Sequence, residues 1–160
     1  MRETPYFIQL EEALDICKKT ELTTGFERVS LDECHNRILA LDLESKVDDP
    51  PFDNSAMDGY AMRYEDTLDV PSKLKVIGTI QAAGQEDKIV VGKGEAVRIM
   101  TGAPMPKGAD SILQIELTSQ EGDEVVLQQS SMKHFIRKKG ENLRKDEVAL
   151  EAGSLLNPSR

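Results

Sequence analysis

Apolar positions follow two rhythms along this chain. Between residues 7 and 20, Phe7, Leu10, Ala13, Leu14 and Cys17 recur at helical spacing, with Glu11 and Glu12 near the start and Lys18 and Lys19 near the end. The charges complement the helix dipole, and the segment predicts a helix. Residues 26–31 predict a short strand, and Ser30 with Glu33 fits a capping box that opens a brief helix through residue 36. Residues 38–43 alternate Ile, Ala and Leu and predict another strand. From residue 60 the period shortens to two. Strands are expected at 60–63, 74–80, 96–100, 111–116 and 124–128, separated by turn formers at Ala83-Gly84, Gly92-Lys93-Gly94, 104–108 and Glu121-Gly122-Asp123. Three more are expected at 134–137, 147–150 and 154–156. Closely spaced strands without intervening helices predict a mostly antiparallel small sheet or barrel, so the fold class is mainly β with a few short helices.

Residues 48–63 join these two regions and concentrate turn formers, carboxylates and apolar residues. Pro50 and Pro51 fix their own φ angles and push the residues before them toward extended backbone. Asp53, Asn54 and Ser55 can each bend the chain by bonding nearby N–H groups. Asp58-Gly59 reads as a turn dipeptide, because glycine tolerates positive φ, and it leaves Asp58 facing outward at a strand start. A polar loop pinned at both ends by rigid residues suits ligand binding or catalysis, and Asp53, Asn54, Ser55 and Asp58 are its candidate groups. The alternative is a self-capped connector.

Composition narrows the classes. The 39% apolar and 31% charged fractions of the 160 residues are those of a globular chain with one core or two small ones. Lys and Arg number 20 against 29 Asp and Glu, a net charge of −9, which repels nucleic acid and anionic membrane. No apolar run approaches the ~20 residues of a membrane span, and no secretory leader precedes Pro5, so a cytoplasmic protein is expected. Cys17 and Cys34 fall in two different predicted helices and are expected to be reduced, packed thiols. Cys34-His35 has no second Cys or His at ligand spacing, which argues against zinc. Nucleotide-binding glycine loops, Ser/His/Asp signatures and paired-carboxylate motifs are absent.

Three ordered blocks carry a resemblance. Pro50-Pro51-Phe52-Asp53-Asn54-Ser55-Ala56-Met57-Asp58-Gly59-Tyr60-Ala61 resembles the signature of the MoeA/gephyrin family of molybdenum insertases. Val97-Arg98-Ile99-Met100-Thr101-Gly102-Ala103-Pro104-Met105-Pro106-Lys107-Gly108-Ala109-Asp110 is a second match, and Ile136-Arg137-Lys138-Lys139-Gly140-Glu141-Asn142 a looser third. The resemblance implies a small β-barrel-like domain at 47–139 inserted into a second β-rich unit made of 1–46 and 140–160. It also implies a larger molybdopterin-binding α/β domain beyond a tail like this one, so the chain reads as the N-terminal region. The implied activity is that of a molybdopterin molybdenumtransferase, with molybdate and adenylated molybdopterin as substrates and Mg²⁺ as cofactor. A homodimer is implied, with the site shared between subunits, and a molybdopterin adenylyltransferase as a pathway partner.

The resemblance places Asp58 at the family's loop aspartate and Thr101 at a threonine tied to activity, which makes them the catalytic candidates. As bare chemistry, Asp58 can orient a ligand or help hold a divalent cation, or it can merely build its turn. Thr101, before Gly102 at a strand end, can turn a hydroxyl and backbone N–H groups toward an oxyanion, or simply close a turn. Asp48, Asp49 and Asp53 beside Asp58 read either as weak Mg²⁺ donors or as solvated loop acids; no metal site is assigned. Lys133, Arg137, Lys138, Lys139, Arg144 and Lys145 accumulate in an otherwise acidic chain. Such a patch can hold the phosphate of a pterin, with Arg137 the best candidate because a guanidinium binds phosphate bidentately, or it can be a solvated charged hairpin. Asn142 departs from the acid common in the family at that position. A different class of function, a non-catalytic dimerisation or protein-docking module, would be marked by exposed apolar residues such as Phe7, Phe52 or Met105.

Overall fold

The computed structural model describes residues 7–21, 25–82 and 89–158. Helix α1 spans Leu10–Lys19, and the strands are β1 Leu43–Glu44, β2 Asn54–Ser55, β3 Gly59–Met62, β4 Ser72–Ile80, β5 Glu95–Ile99, β6 Ser111–Gln114, β7 Thr118–Glu121, β8 Glu124–Leu127, β9 Ile136–Arg137 and β10 Val148–Leu150. The protein is mostly β with one α-helix and short 3-10 turns. It forms two compact units, one of residues 1–40 with 152–160 and one of residues 41–151.

The larger unit is built on a six-stranded sheet in the order β6-β3-β5-β4-β8-β7. Its pairs are antiparallel except β4 with β5, which run parallel. The two edge strands, β6 and β7, follow one another in sequence through a 3-10 turn at Ile115–Leu117. The sheet therefore curls toward itself as a half-barrel, and the Tyr60 hydroxyl on β3 donates to Gln120 Oε1 on β7 at 3.0 Å. Alternation sorts the apolar residues onto two faces. Tyr60, Met62, Leu74, Ala96, Leu113, Val125 and Leu127 fill the inner face, while Ala61, Ile80, Val97, Ile99 and Ile112 pack with Val91 and Ala103 on the outer one. Strand β3 is buried on both sides along its length.

Gly59 has no positive φ, which corrects the turn argument for Asp58-Gly59. A Cβ there would lie 2.1 Å from the Leu113 carbonyl oxygen, so glycine is required by the close approach of β3 to β6. At the base of the unit β1 pairs with β10, and Asp49 bridges to Leu143.

In the smaller unit α1 forms where periodicity placed it, and the Ser30–Glu33 capping box is present around a 3-10 turn at Leu31–Glu33. Residues 26–31 form no strand, and of 38–43 only an Ile38–Leu155 bridge and the start of β1 materialise. Backbone bonds from 36–39 to 153–156 tie the two segments together instead. No described residue of this unit is buried. The cysteines are free: Cys17 is exposed on α1 rather than packed, and Cys34 ends the 3-10 turn rather than lying in a helix. The Ala83-Gly84 turn lies outside the described residues. No described helix is long and apolar enough to cross a membrane.

Candidate functional site

Strand β2 is threaded between two other segments of the larger unit. On one side Ser55 N–H donates to the Ala103 carbonyl at 3.0 Å, Gly102 N–H to Ser55 at 2.8 Å and Met105 N–H to Asp53 at 2.9 Å. On the other side Asn54 and Ser55 pair with Arg137 and Ile136 of β9. The three sequence blocks thus meet at residues 53–56. Gly102, at φ 80°, makes the turn that lets the 101–106 loop lie along β2.

Asp58 and Thr101 sit at the ends of the adjacent strands β3 and β5, and their side chains join. Asp58 Oδ1 accepts both the Thr101 N–H and the Thr101 hydroxyl, each at 2.7 Å. The hydroxyl, then the N–H, then the more distant charge of Arg98 hold the Asp58 carboxyl below the ordinary aspartate range. Both Thr101 donors expected to face an oxyanion are therefore committed to Asp58, whose exposed Oδ2 takes no bond from any described residue. Ser55 serves the turn that presents Asp58: its buried hydroxyl donates to the Met57 carbonyl at 2.5 Å and accepts the Met57 N–H at 3.2 Å. Asn54 is buried to all but 8%, and its side-chain oxygen has no partner.

The basic cluster closes on the acidic loop. Asp53 accepts the Lys138 ammonium at 2.7 Å and the Lys139 N–H at 2.8 Å. Asp48 accepts the Lys145 N–H at 2.9 Å and pairs with the Lys139 ammonium at 3.2 Å. Asp53 is lowered from its ordinary pKa chiefly by Lys138, and Asp48 chiefly by the Lys145 N–H. Lys133 is held by Asp110 at 2.8 Å. The Arg137, Arg144 and Lys145 side chains carry no ion pair among the described residues, and Arg137 is exposed opposite Asn54. Asn142 donates to Asp49 Oδ2 at 3.0 Å, a bond an aspartate would replace with repulsion. A shallow depression of about 790 Å³ follows this hairpin, bordered by Lys138, Lys139, Asn142 and Arg144; Asp58 and Thr101 do not border it.

Asp48, Asp49 and Asp53 are thus engaged with the hairpin and do not turn jointly toward Asp58. Among the described residues no three of His, Cys, Asp and Glu gather to hold a metal ion, so the Mg²⁺ implied by resemblance does not fit a site made by this chain alone.

Arg98 is a neighbour that sequence reading passed over. It sits on β5 opposite Tyr60, and its Nε is buried without a partner. A charge interrupting an apolar strand, Ala96-Val97-Arg98-Ile99, was the available signal.

A family model described as the MoeA N-terminal region (domain I and II) matches residues 8–160. A molybdopterin molybdenumtransferase of Synechococcus elongatus is 37% identical over 148 residues, covering 89% of this chain and 37% of that protein. One from Staphylococcus aureus (strain MRSA252) is 36% identical over 156 residues, covering 94% of this chain and 37% of that protein. The crystal structure of a molybdopterin biosynthesis MoeA protein from Pyrococcus horikoshii OT3 superposes with a TM-score of 0.77 at 38% identity, covering 83% of this chain and 36% of that one. The chain spans little more than a third of the length of these relatives.

Proposed function

The chain belongs to the MoeA family, and from that premise we propose that it is the N-terminal part of a molybdopterin molybdenumtransferase of molybdenum cofactor biosynthesis. In this reading the whole enzyme takes adenylated molybdopterin and molybdate, releases AMP and places the metal between the dithiolene sulfurs. It works as a cytoplasmic homodimer, with Mg²⁺, in a site that this region completes for its partner. The observation that carries the reading is the Asp58–Thr101 pair, which joins two of the three signature blocks at 2.7 Å.

The chemistry of this chain's share follows from the geometry. Asp58 is ionised at neutral pH and has one oxygen fixed by Thr101, so its free Oδ2 is aimed and ready to accept a proton-bearing group of the ligand. Thr101 acts as a positioning residue through its double bond to Asp58. The exposed Arg137, paired with the buried Asn54 on β9 and β2, suits the phosphate of a pterin. Asp53 and Ser55 hold the loop in shape from either side.

Two measurements test this. In the full-length protein, Asp58→Ala is expected to lower metal insertion at least about tenfold, the effect of one transition-state contact of ~1.4 kcal/mol, with the melting temperature unchanged. Equal loss of both makes Asp58 structural. Titrating molybdopterin calorimetrically into the 160-residue chain, with Asp58→Ala as control, locates the affinity: heat lost in the variant places ligand on this loop.

A docking role is the second reading, favoured by one observation. In the smaller unit Phe7 and Phe26 are 85% and 86% exposed, with Leu10, Leu14 and Ile16 uncovered along α1. Phe52 and Met105, by contrast, are partly buried. Sedimentation of the 160-residue chain decides whether this surface self-associates: a strict monomer at high concentration removes self-assembly from the reading.

A further inference from the structure

The inner face of the half-barrel is mostly apolar with a few neutral polar residues such as Ser111 and Gln120, and among its described strand positions Arg98 carries the charge. Tyr60 opposes Arg98 and Met62 opposes Ala96 across β3 and β5, while Thr79 opposes Arg98 from β4. Since Tyr60, Met62 and Ala96 all belong to the inner cluster, the alternation puts Arg98 in the same row, next position toward the open end. Leu74, Val76, Leu113, Val125 and Leu127 share that face and are apolar. A guanidinium placed against them with its Nε buried and unbonded is costly to keep. Its charge is felt by the Asp58 carboxylate, but the hydrogen bonds that Asp58 accepts among the described residues come from Thr101.

The register supplies the reason. One step beyond the Gly59–Ile99 pair, Asp58, the residue leading into β3, is the diagonal neighbour of Arg98, within reach of a long side chain. Yet the two do not pair; Asp58 turns Oδ1 to Thr101 and leaves Oδ2 open. Arg98, with its Nε–H unbonded, and the open Oδ2 of Asp58 are therefore diagonal neighbours at this end of the sheet, with Thr79 opposite Arg98 on the other side. We infer that Arg98 is a further binding residue of the Asp58–Thr101 site, holding a tetrahedral oxyanion of the ligand. An oxyanion that retains one proton satisfies both sides: its oxygens accept from the terminal N–H groups of the half-buried Arg98, and its O–H donates to Asp58 Oδ2. In a chain of net charge −9, such a local cation is what an anion requires. The inference rests on reading Asp58–Thr101 as ligand-facing.

The test is ¹⁵N NMR of the Arg98 Nε–H in the 160-residue chain, titrated separately with inorganic phosphate and with molybdate. The expected result is a saturable shift of that resonance with slowed exchange against water; the anion that acts at the lower concentration identifies the source. No shift with either anion overturns the inference. Arg98→Met supplies the second arm. It is expected to weaken binding of the titrated anion about tenfold to a hundredfold, the loss of a charge-assisted hydrogen bond, while the melting temperature holds or rises because a buried unbonded N–H is gone. A fall in melting temperature without loss of anion binding would make Arg98 structural and also overturn it. The outcomes separate from those of the transferase reading: oxyanion binding at Arg98 with insertion indifferent to Asp58 leaves this inference standing and removes the other, and the converse does the reverse.

Discussion

At the scale of single residues, the Asp58–Thr101 contact makes a titration prediction. Because the Thr101 hydroxyl is the largest influence lowering the Asp58 carboxyl, Thr101→Val raises its midpoint toward the ordinary aspartate value, while the remaining N–H bond keeps it from rising fully. Carboxyl ¹³C NMR against pH reads this directly, and an unmoved midpoint would show that the hydroxyl does not hold the carboxylate. Asp58 was legible as one of several loop candidates, and the resemblance singled out both residues as catalytic. Their chemistry was legible in part: local pattern offered the Thr101 donors either to an oxyanion or to a turn, whereas a carboxylate from a strand end 43 positions away takes them. That contact depends on β3 and β5 lying side by side, which no local pattern encodes. Arg98 shows as a charge within an apolar run, but its weight appears only once both faces of β5 are known to be covered.

At the scale of elements, pairing decides what local pattern proposes. Strands β3, β5 and β8 follow their alternation, because each has a partner on both sides, while β4 shifts register between Val76 and Thr79. Residues 26–31 have the pattern and no partner, and stay irregular. Strand β7, Thr-Ser-Gln-Glu, lacks any apolar signal and exists because β8 and the Tyr60–Gln120 bond hold it. Two predictions belong here. Gly59→Ala forces β3 from β6, since its methyl would meet backbone at 2.1 Å, and is expected to cost ~3 kcal/mol in urea unfolding, at the high end of overpacking. A cost near zero would mean the strands can separate. The clamp between residues 48–53 and the basic hairpin responds to pH. Asp48 and Asp53 have folded-state values below their unfolded ones, so their contribution is complete above the unfolded value of about 3.9 and disappears as pH falls through the lower folded values. Exchange of the Lys139 and Lys145 amides, bonded to these acids, should quicken below about pH 4 while the half-barrel stays closed.

At the scale of the whole molecule, stability and chemistry concentrate in one unit. Both buried clusters lie in residues 41–151, and the smaller unit contributes no buried described residue. Local opening tracks burial, so native-state hydrogen exchange should sort the chain in two. The amides of Tyr60, Met62, Val97 and Ile112 are expected to exchange only on global unfolding, while those of α1 and of 36–39 open far more readily. Equal protection of α1 would require a cover for its apolar side. The same experiment reaches the site, because Thr101 N–H is bonded to Asp58 at the exposed end of the protected sheet. In Asp58→Asn that amide should lose protection while Val97, four residues earlier on β5, keeps its own. Loss confined to Thr101 would make the pair a local device set on a rigid frame, as positioning a ligand requires. Loss spreading along β5 would make the pair part of what closes the sheet, and the role of Asp58 in the fold would then come before any role in chemistry.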